Sequence, residues 1–169
     1  KVAHIAFTGG PETARHIVRA SAENLAKTSL ELGGKSPFIV FDDADLDSAA
    51  NAQVSGIFAA TGQSCVAGSR LLVQRGVKED FLARLKAKAE AVTIGAPDRM
   101  ETEVGPLCTA RQRDRIAGLI DRSCAAGARL VTGGRAPEGA GFYFPPTILD
   151  CSDAPQAPAL MEEFFGPVL

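Results

Sequence analysis

Apolar positions along this chain follow two rhythms, and the rhythms predict the elements. Short continuous apolar runs at residues 2–7, 38–41, 70–74 and 129–132 have the length and content of buried strands. A further strand-like run, Ser29-Leu30-Glu31-Leu32, stops against the pair Gly33-Gly34. Between these runs the spacing changes to three and four. It predicts a helix from Pro11 to about Lys27 and another over residues 45–60, with Ala49, Ala50, Val54, Ile57 and Phe58 on one face. A third runs from Lys78 to about Val92 on Phe81, Leu82, Leu85 and Ala89. A fourth turns Ile116, Leu119 and Ile120 inward and ends at Gly127; Thr109-Ala110-Arg111-Gln112 opens it with the spacing of a capping box. Residues 142–144 and 147–149 are short strand candidates around Pro145-Pro146. Strands alternating with helices predict an α/β architecture, with a largely parallel sheet flanked by helices.

Composition excludes several classes of function. A length of 169 residues allows one domain of ordinary size, with 46 % apolar and 22 % charged residues. A net charge of −2 carries no nucleic-acid footprint, and no apolar run approaches a membrane span. The N-terminus has no signal-peptide layout. Four cysteines at irregular spacing make neither a disulfide scaffold nor a zinc pair, and His4 and His16 lack partners at metal-ligand spacing. The expectation is a reduced, cytoplasmic chain without a bound metal. The chain opens in a strand-like run and closes on the apolar stretch Phe164-Phe165-Gly166-Pro167-Val168-Leu169. Both ends therefore read as cut from a longer protein.

The most concentrated chemistry lies in Thr61-Gly62-Gln63-Ser64-Cys65-Val66-Ala67-Gly68-Ser69-Arg70. Small neighbours leave the Cys65 sulfur uncovered, and a nearby arginine favours thiolate. Gly62 falls where the preceding helix would stop, so Cys65 is expected on the turn leaving it. The alternative is a small buried hydrophobe, the reading given to Cys108, Cys124 and Cys151. Thr8-Gly9-Gly10-Pro11 joins a strand to a helix N-terminus, where free N–H groups can cradle phosphate; an ordinary Gly-Gly turn would look the same. Glu31 would serve as a general base if buried, or would face water on an edge strand. Asp42-Asp43-Ala44-Asp45-Leu46-Asp47 lacks the glycine and closing glutamate of a calcium loop, and reads as solvated acids starting a helix.

Read together and in order, these motifs resemble the aldehyde dehydrogenase superfamily over essentially the whole chain. The resemblance rests on Phe7-Thr8-Gly9, Glu31-Leu32-Gly33-Gly34-Lys35, residues 62–70 around Cys65, and Glu162-Glu163-Phe164-Phe165-Gly166-Pro167. Gly105-Pro106-Leu107 and Pro146-Thr147-Ile148 also fit. It implies oxidation of an aldehyde to a carboxylic acid with NAD or NADP as co-substrate. Cys65 would be the nucleophile, passing through a thiohemiacetal and a thioester, and Glu31 would deprotonate the hydrolytic water. The Cys65 N–H would form part of an oxyanion hole. Thr8, Gly9, Gly10, Leu32, Glu163 and Phe165 would contact the cofactor, and Gln112 and Arg115 fall near a helix that touches its ribose in some members. Residues 1–30 would close a dinucleotide-binding domain, with residues 31–169 forming most of the catalytic domain. The parent would be a homodimer or homotetramer, and the isolated segment would be inactive. Gly10 stands where the family usually has serine, and Ala14 where it usually has glycine. A cofactor-free cysteine esterase and a non-catalytic folded module are the rival readings. Glu31 argues against a variant that transfers the acyl group to coenzyme A.

Overall fold

Pro11 fixes the φ that a first helical turn requires, and a helix starts there directly after the first strand. In the computed structural model, which describes residues 2–169, the chain divides into two compact units, Lys1–Gly34 and Lys35–Leu169.

The first unit is strand, helix, strand. Strand β1 (His4–Gly9) leads through Gly10 into helix α1 (Pro11–Ser21), and strand β2 (Lys27–Leu32) returns parallel to β1. The register runs from His4 opposite Lys27 to Gly9 opposite Leu32. The helix stops at Ser21, short of the expected Lys27. Ser21 Oγ turns back to donate to the Val18 carbonyl at 2.9 Å, and Leu25 takes a positive φ of 57°. The Asn24 side chain accepts from the Ala26 N–H at 3.2 Å and closes the turn.

The second unit repeats the logic once. Strand β3 (Pro37–Val40) and strand β4 (Arg70–Val73) pair in parallel, with helix α2 (Leu46–Phe58) in the connection between them. Asp45 caps α2, its carboxylate accepting from the Ser48 N–H at 2.7 Å, as expected of acids that start a helix. No cluster of metal-ligating side chains occurs among the described residues. Helix α3 (Lys78–Ala91) packs on α2. Their shared core holds Val40, Ala50, Ile57, Phe58, Phe81 and Leu85. Each large apolar side chain buried there stabilises the unit by about 1.5–3 kcal/mol.

Helix α4 (Ala110–Ala125) builds a second core from Ile116, Leu119 and Ile120 with Phe144, Phe164 and Val168. Strand β5 (Arg129–Thr132) pairs antiparallel with strand β6 (Ile148–Asp150). The last residues lie beside β6, where the Leu149 N–H donates to the Leu169 carbonyl at 2.8 Å. Among the described residues the strands form three two-stranded ladders, two parallel and one antiparallel. Residues 142–144 form no strand: Phe144 is fully buried as a core plug, and the prolines that follow offer no N–H to a ladder. No helix among the described residues is long and apolar enough to cross a membrane.

Candidate active site

The turn carrying Cys65 owes its shape to a kink after α2. The helix ends at Phe58, and Ala60, Thr61 and Gly62 then take positive φ values of 49°, 56° and 68°. Only glycine fits the third position. A Cβ on Gly62 would run into the backbone of Gly166 and Pro167. The stretch around Cys65 and the C-terminal Phe165-Gly166-Pro167 stretch are thereby in backbone contact.

Side chains fasten the turn on both sides. At its entrance, Thr61 Oγ1 donates to the Gly105 carbonyl at 3.3 Å, and Gln63 Oε1 accepts from the Cys108 N–H at 3.1 Å. At its exit, Gln53 Nε2 on α2 donates to the Gly68 carbonyl at 2.7 Å. Lys35 Nζ donates to the next carbonyl, Ser69, at 3.1 Å. Between these anchors Cys65 is exposed, and its own N–H donates to no acceptor among the described residues. Val66 beside it is 79 % exposed. Arg70 follows, exposed at the start of β4. The arrangement offers a sulfur on a rigid turn with an unpaired backbone donor at the same residue.

Glu163 and Phe165 lie on a second turn of the same unit. Phe165 takes a positive φ of 50°, which is strained for an aromatic residue, and two side chains of α4 hold it there. Gln112 Nε2 donates to the carbonyls of Phe164 at 2.6 Å and Phe165 at 2.9 Å. Arg115 donates to Phe164 O at 3.0 Å and Glu163 O at 2.8 Å. Gln112 and Arg115 therefore spend these donors on the chain itself, where the sequence reading had set them near a cofactor ribose. The capping box is half-formed for the same reason. Thr109 Oγ1 accepts from the Gln112 N–H at 3.2 Å, but the Gln112 side chain is engaged with the turn.

In the first unit, the residues singled out from sequence meet at one edge. Thr8 pairs with Glu31 and Gly9 with Leu32, at the carboxyl ends of two parallel strands, the end where ligands of such sheets bind. Gly10 is the N-cap of α1 and supplies no side-chain cap, and a Cβ there would meet nothing within 4 Å. A serine would fit, so no steric demand explains the glycine. Glu31 is exposed on β2, which is the solvated-edge alternative and not the buried one.

Lys35 and Gln53 were assigned no role from sequence. Gln53 is only 1 % exposed, a polar residue within the apolar pattern of α2, and that break in pattern was the available signal. Burial is the largest cause that pushes the Lys35 ammonium down to about 8. The Arg70 charge adds to it, and Cys151 and Glu163 oppose it. A cavity of about 240 Å³ in this unit reaches the exit of the Cys65 turn, with Ser69, Arg70, Phe164, Lys78 and Asp150 in its lining, but Cys65 itself does not line it.

The sequence profile of the Aldehyde dehydrogenase family matches residues 1–169. The chain is 63 % identical over 169 residues to (Z)-2-((N-methylformamido)methylene)-5-hydroxybutyrolactone dehydrogenase of Acinetobacter baylyi, covering 100 % of this chain and 35 % of that protein. It is 45 % identical over 172 residues to betaine aldehyde dehydrogenase of Rhizobium leguminosarum bv. trifolii, covering 99 % and 35 %. Among solved structures, lactaldehyde dehydrogenase from Escherichia coli superposes with a TM-score of 0.95 at 40 % identity, over 99 % of this chain and 35 % of that one. PnpE in complex with nicotinamide adenine dinucleotide superposes with a TM-score of 0.93 at 43 % identity, over 99 % and 36 %. The chain thus spans about a third of the length of the curated relatives it matches.

Proposed function

Because this chain belongs to the aldehyde dehydrogenase family, we propose that it carries the nucleophile and the hydrolytic base of an NAD- or NADP-linked oxidation of an aldehyde to a carboxylic acid. The observation that carries the reading is the exposed Cys65 on a turn fastened at four points, with its own N–H unpaired.

The Cys65 thiolate attacks the aldehyde carbon. A sulfur–carbon bond forms and the carbonyl electron pair moves to oxygen, giving a thiohemiacetal. The unpaired Cys65 N–H donates to that oxygen as its charge develops. The nicotinamide ring, when bound, accepts the hydride that leaves this carbon, and Cys65 is left as a thioester. Glu31 then takes a proton from water, the resulting hydroxide adds to the thioester, and the acid departs as the thiolate is restored.

Residues on both units suit the cofactor. The N-terminus of α1, uncapped by a side chain and open at Gly10, offers backbone N–H groups to a pyrophosphate together with Thr8 and Gly9. Leu32 lies beside them in the ladder. In the second unit, Glu163 has a carboxylate for the ribose hydroxyls and the partly exposed Phe165 a ring to set against the nicotinamide.

Two thirds of the length of the relatives lies outside these 169 residues. The chain alone is accordingly expected not to turn over aldehyde. The reading is tested by exchanging the matching segment of the Acinetobacter relative for this chain, then following nucleotide reduction with an aldehyde that relative accepts. The chimera should reduce nucleotide, and its Cys65→Ala form should lose at least about a thousandfold, the scale for removing a nucleophile. Equal activity in both forms would end the proposal. Ester cleavage by the 169-residue chain, independent of nucleotide and lost in Cys65→Ala, would instead support a cysteine esterase.

A further inference from the structure

The carbonyls of Gly68 and Ser69 are consecutive at the exit of the Cys65 turn, yet donors from different elements take them. Gln53 reaches the first from α2, and Lys35, just ahead of β3, reaches the second. Lys35 does more than donate. Its Nζ stands 5.3 Å from the centroid of the Phe164 ring, within range of a cation–π attraction. Phe164 in turn belongs to the turn whose carbonyls Gln112 and Arg115 hold.

Stability does not explain a lysine at this place. Lys35 is partly buried, and withdrawing an ammonium from water is costly, whereas an apolar side chain of similar length in such a site is often neutral or stabilising. What the ammonium provides, and an apolar chain does not, is a simultaneous hold on the Ser69 carbonyl and the Phe164 ring. The other groups that face it set no competing anchor. Arg70 repels it, while Glu163 and Cys151 favour its charge without hydrogen-bonding to it.

We propose that Lys35 is a positioning residue for Cys65, its ammonium fixing the Ser69 carbonyl against the Phe164 ring and so setting the Cys65 turn relative to the Glu163–Phe165 turn. The inference rests on Cys65 being the nucleophile, but its test reads the turn and not turnover.

Three amides report on that turn: Ala67, bonded to Ser64 O at 3.2 Å; Ser69, bonded to Ala67 O at 2.8 Å; and Arg70, bonded to Ser36 O at 3.1 Å. Their hydrogen exchange is to be measured in the 169-residue chain, in Lys35→Met and in Lys35→Arg, alongside thermal unfolding. In Lys35→Met the three amides should exchange at least about tenfold faster, the scale of losing a charge-assisted hydrogen bond, while the unfolding midpoint holds or rises. In Lys35→Arg, which keeps a charged donor, exchange should stay within about threefold of the parent. Unchanged exchange in Lys35→Met overturns the proposal. Equal acceleration in Lys35→Arg also overturns it, since length and shape would then hold the turn. So does acceleration spread evenly over the unit with a lower midpoint, which would make Lys35 a general stabiliser. If Cys65 is not the nucleophile, that failure shows in its alkylation and leaves the exchange results standing.

Discussion

Gly62 and Gly166 meet backbone to backbone: a Cβ on Gly62 would overlap the Gly166 carbonyl, and a Cβ on Gly166 would overlap Ile116 Cδ1. This stack of α4, C-terminal segment and Cys65 turn fixes where the turn begins. Gly62→Ala adds that overlap to the cost of a positive φ, and should destabilise the chain by about 2–4 kcal/mol. Thermal unfolding should show the midpoint falling by roughly 5–12 °C. Gly56 on α2 is the control. A Cβ there meets nothing within 4 Å, so Gly56→Ala should be neutral or stabilising by up to about 1 kcal/mol. Equal midpoints for the two variants would contradict the backbone contact.

Arg115 holds Phe165 in its strained conformation by donating to the two carbonyls before it. In Arg115→Met those bonds go, and the turn should open more often. Chymotrypsin cleavage after Phe165, already 39 % exposed, should then quicken by about tenfold, as one charged hydrogen-bond donor is worth 1.5–3 kcal/mol. An unchanged cleavage rate would mean that Gln112 alone suffices.

Lys35 gives the folding stability a definite pH dependence. Its folded value is about 8 and its ordinary value 10.5. Below about pH 8 both folded and unfolded chains hold the proton, and the burial penalty is present in full. Between about 8 and 10.5 the unfolded chain binds a proton that the folded chain has released, so stability rises with pH. Urea unfolding at pH 7 and pH 9.5 should show that rise in the parent chain and lose it in Lys35→Met. The same rise in both would assign it to other groups.

Much of the frame around Cys65 was legible in the sequence, because local signals specify it. The apolar spacing of α2, the glycine after it and the strand run at Arg70 bracket the cysteine without any tertiary information. The α1 boundary was overrun. Apolar spacing continues past Ser21, while the turn that ends the helix depends on the Leu25 backbone and the Asn24 side chain. The aromatic run at residues 142–144 has strand composition, but Phe144 alone of the three enters the α4 core and Phe142 stays exposed. For Glu31 the apolar neighbours left burial and a water-facing edge strand both open, and the side chain is exposed on β2. The anchors were the least legible. Lys35 and Gln53 act on backbone carbonyls 34 and 15 residues away, and carbonyls carry no sequence signal.

The central claim is that Cys65, of four thiols, is the nucleophile. Cys108 is also exposed, while Cys124 and Cys151 are partly buried, so exposure alone does not single out Cys65. The direct measurement is the rate of iodoacetamide alkylation at each cysteine of the intact 169-residue chain near neutral pH, followed by peptide mass spectrometry. The account predicts that Cys65 reacts first, at least about tenfold faster than Cys108, because its fastened turn presents the exposed sulfur beside an unpaired backbone N–H. Alkylation of Cys108 as fast as Cys65 would contradict it.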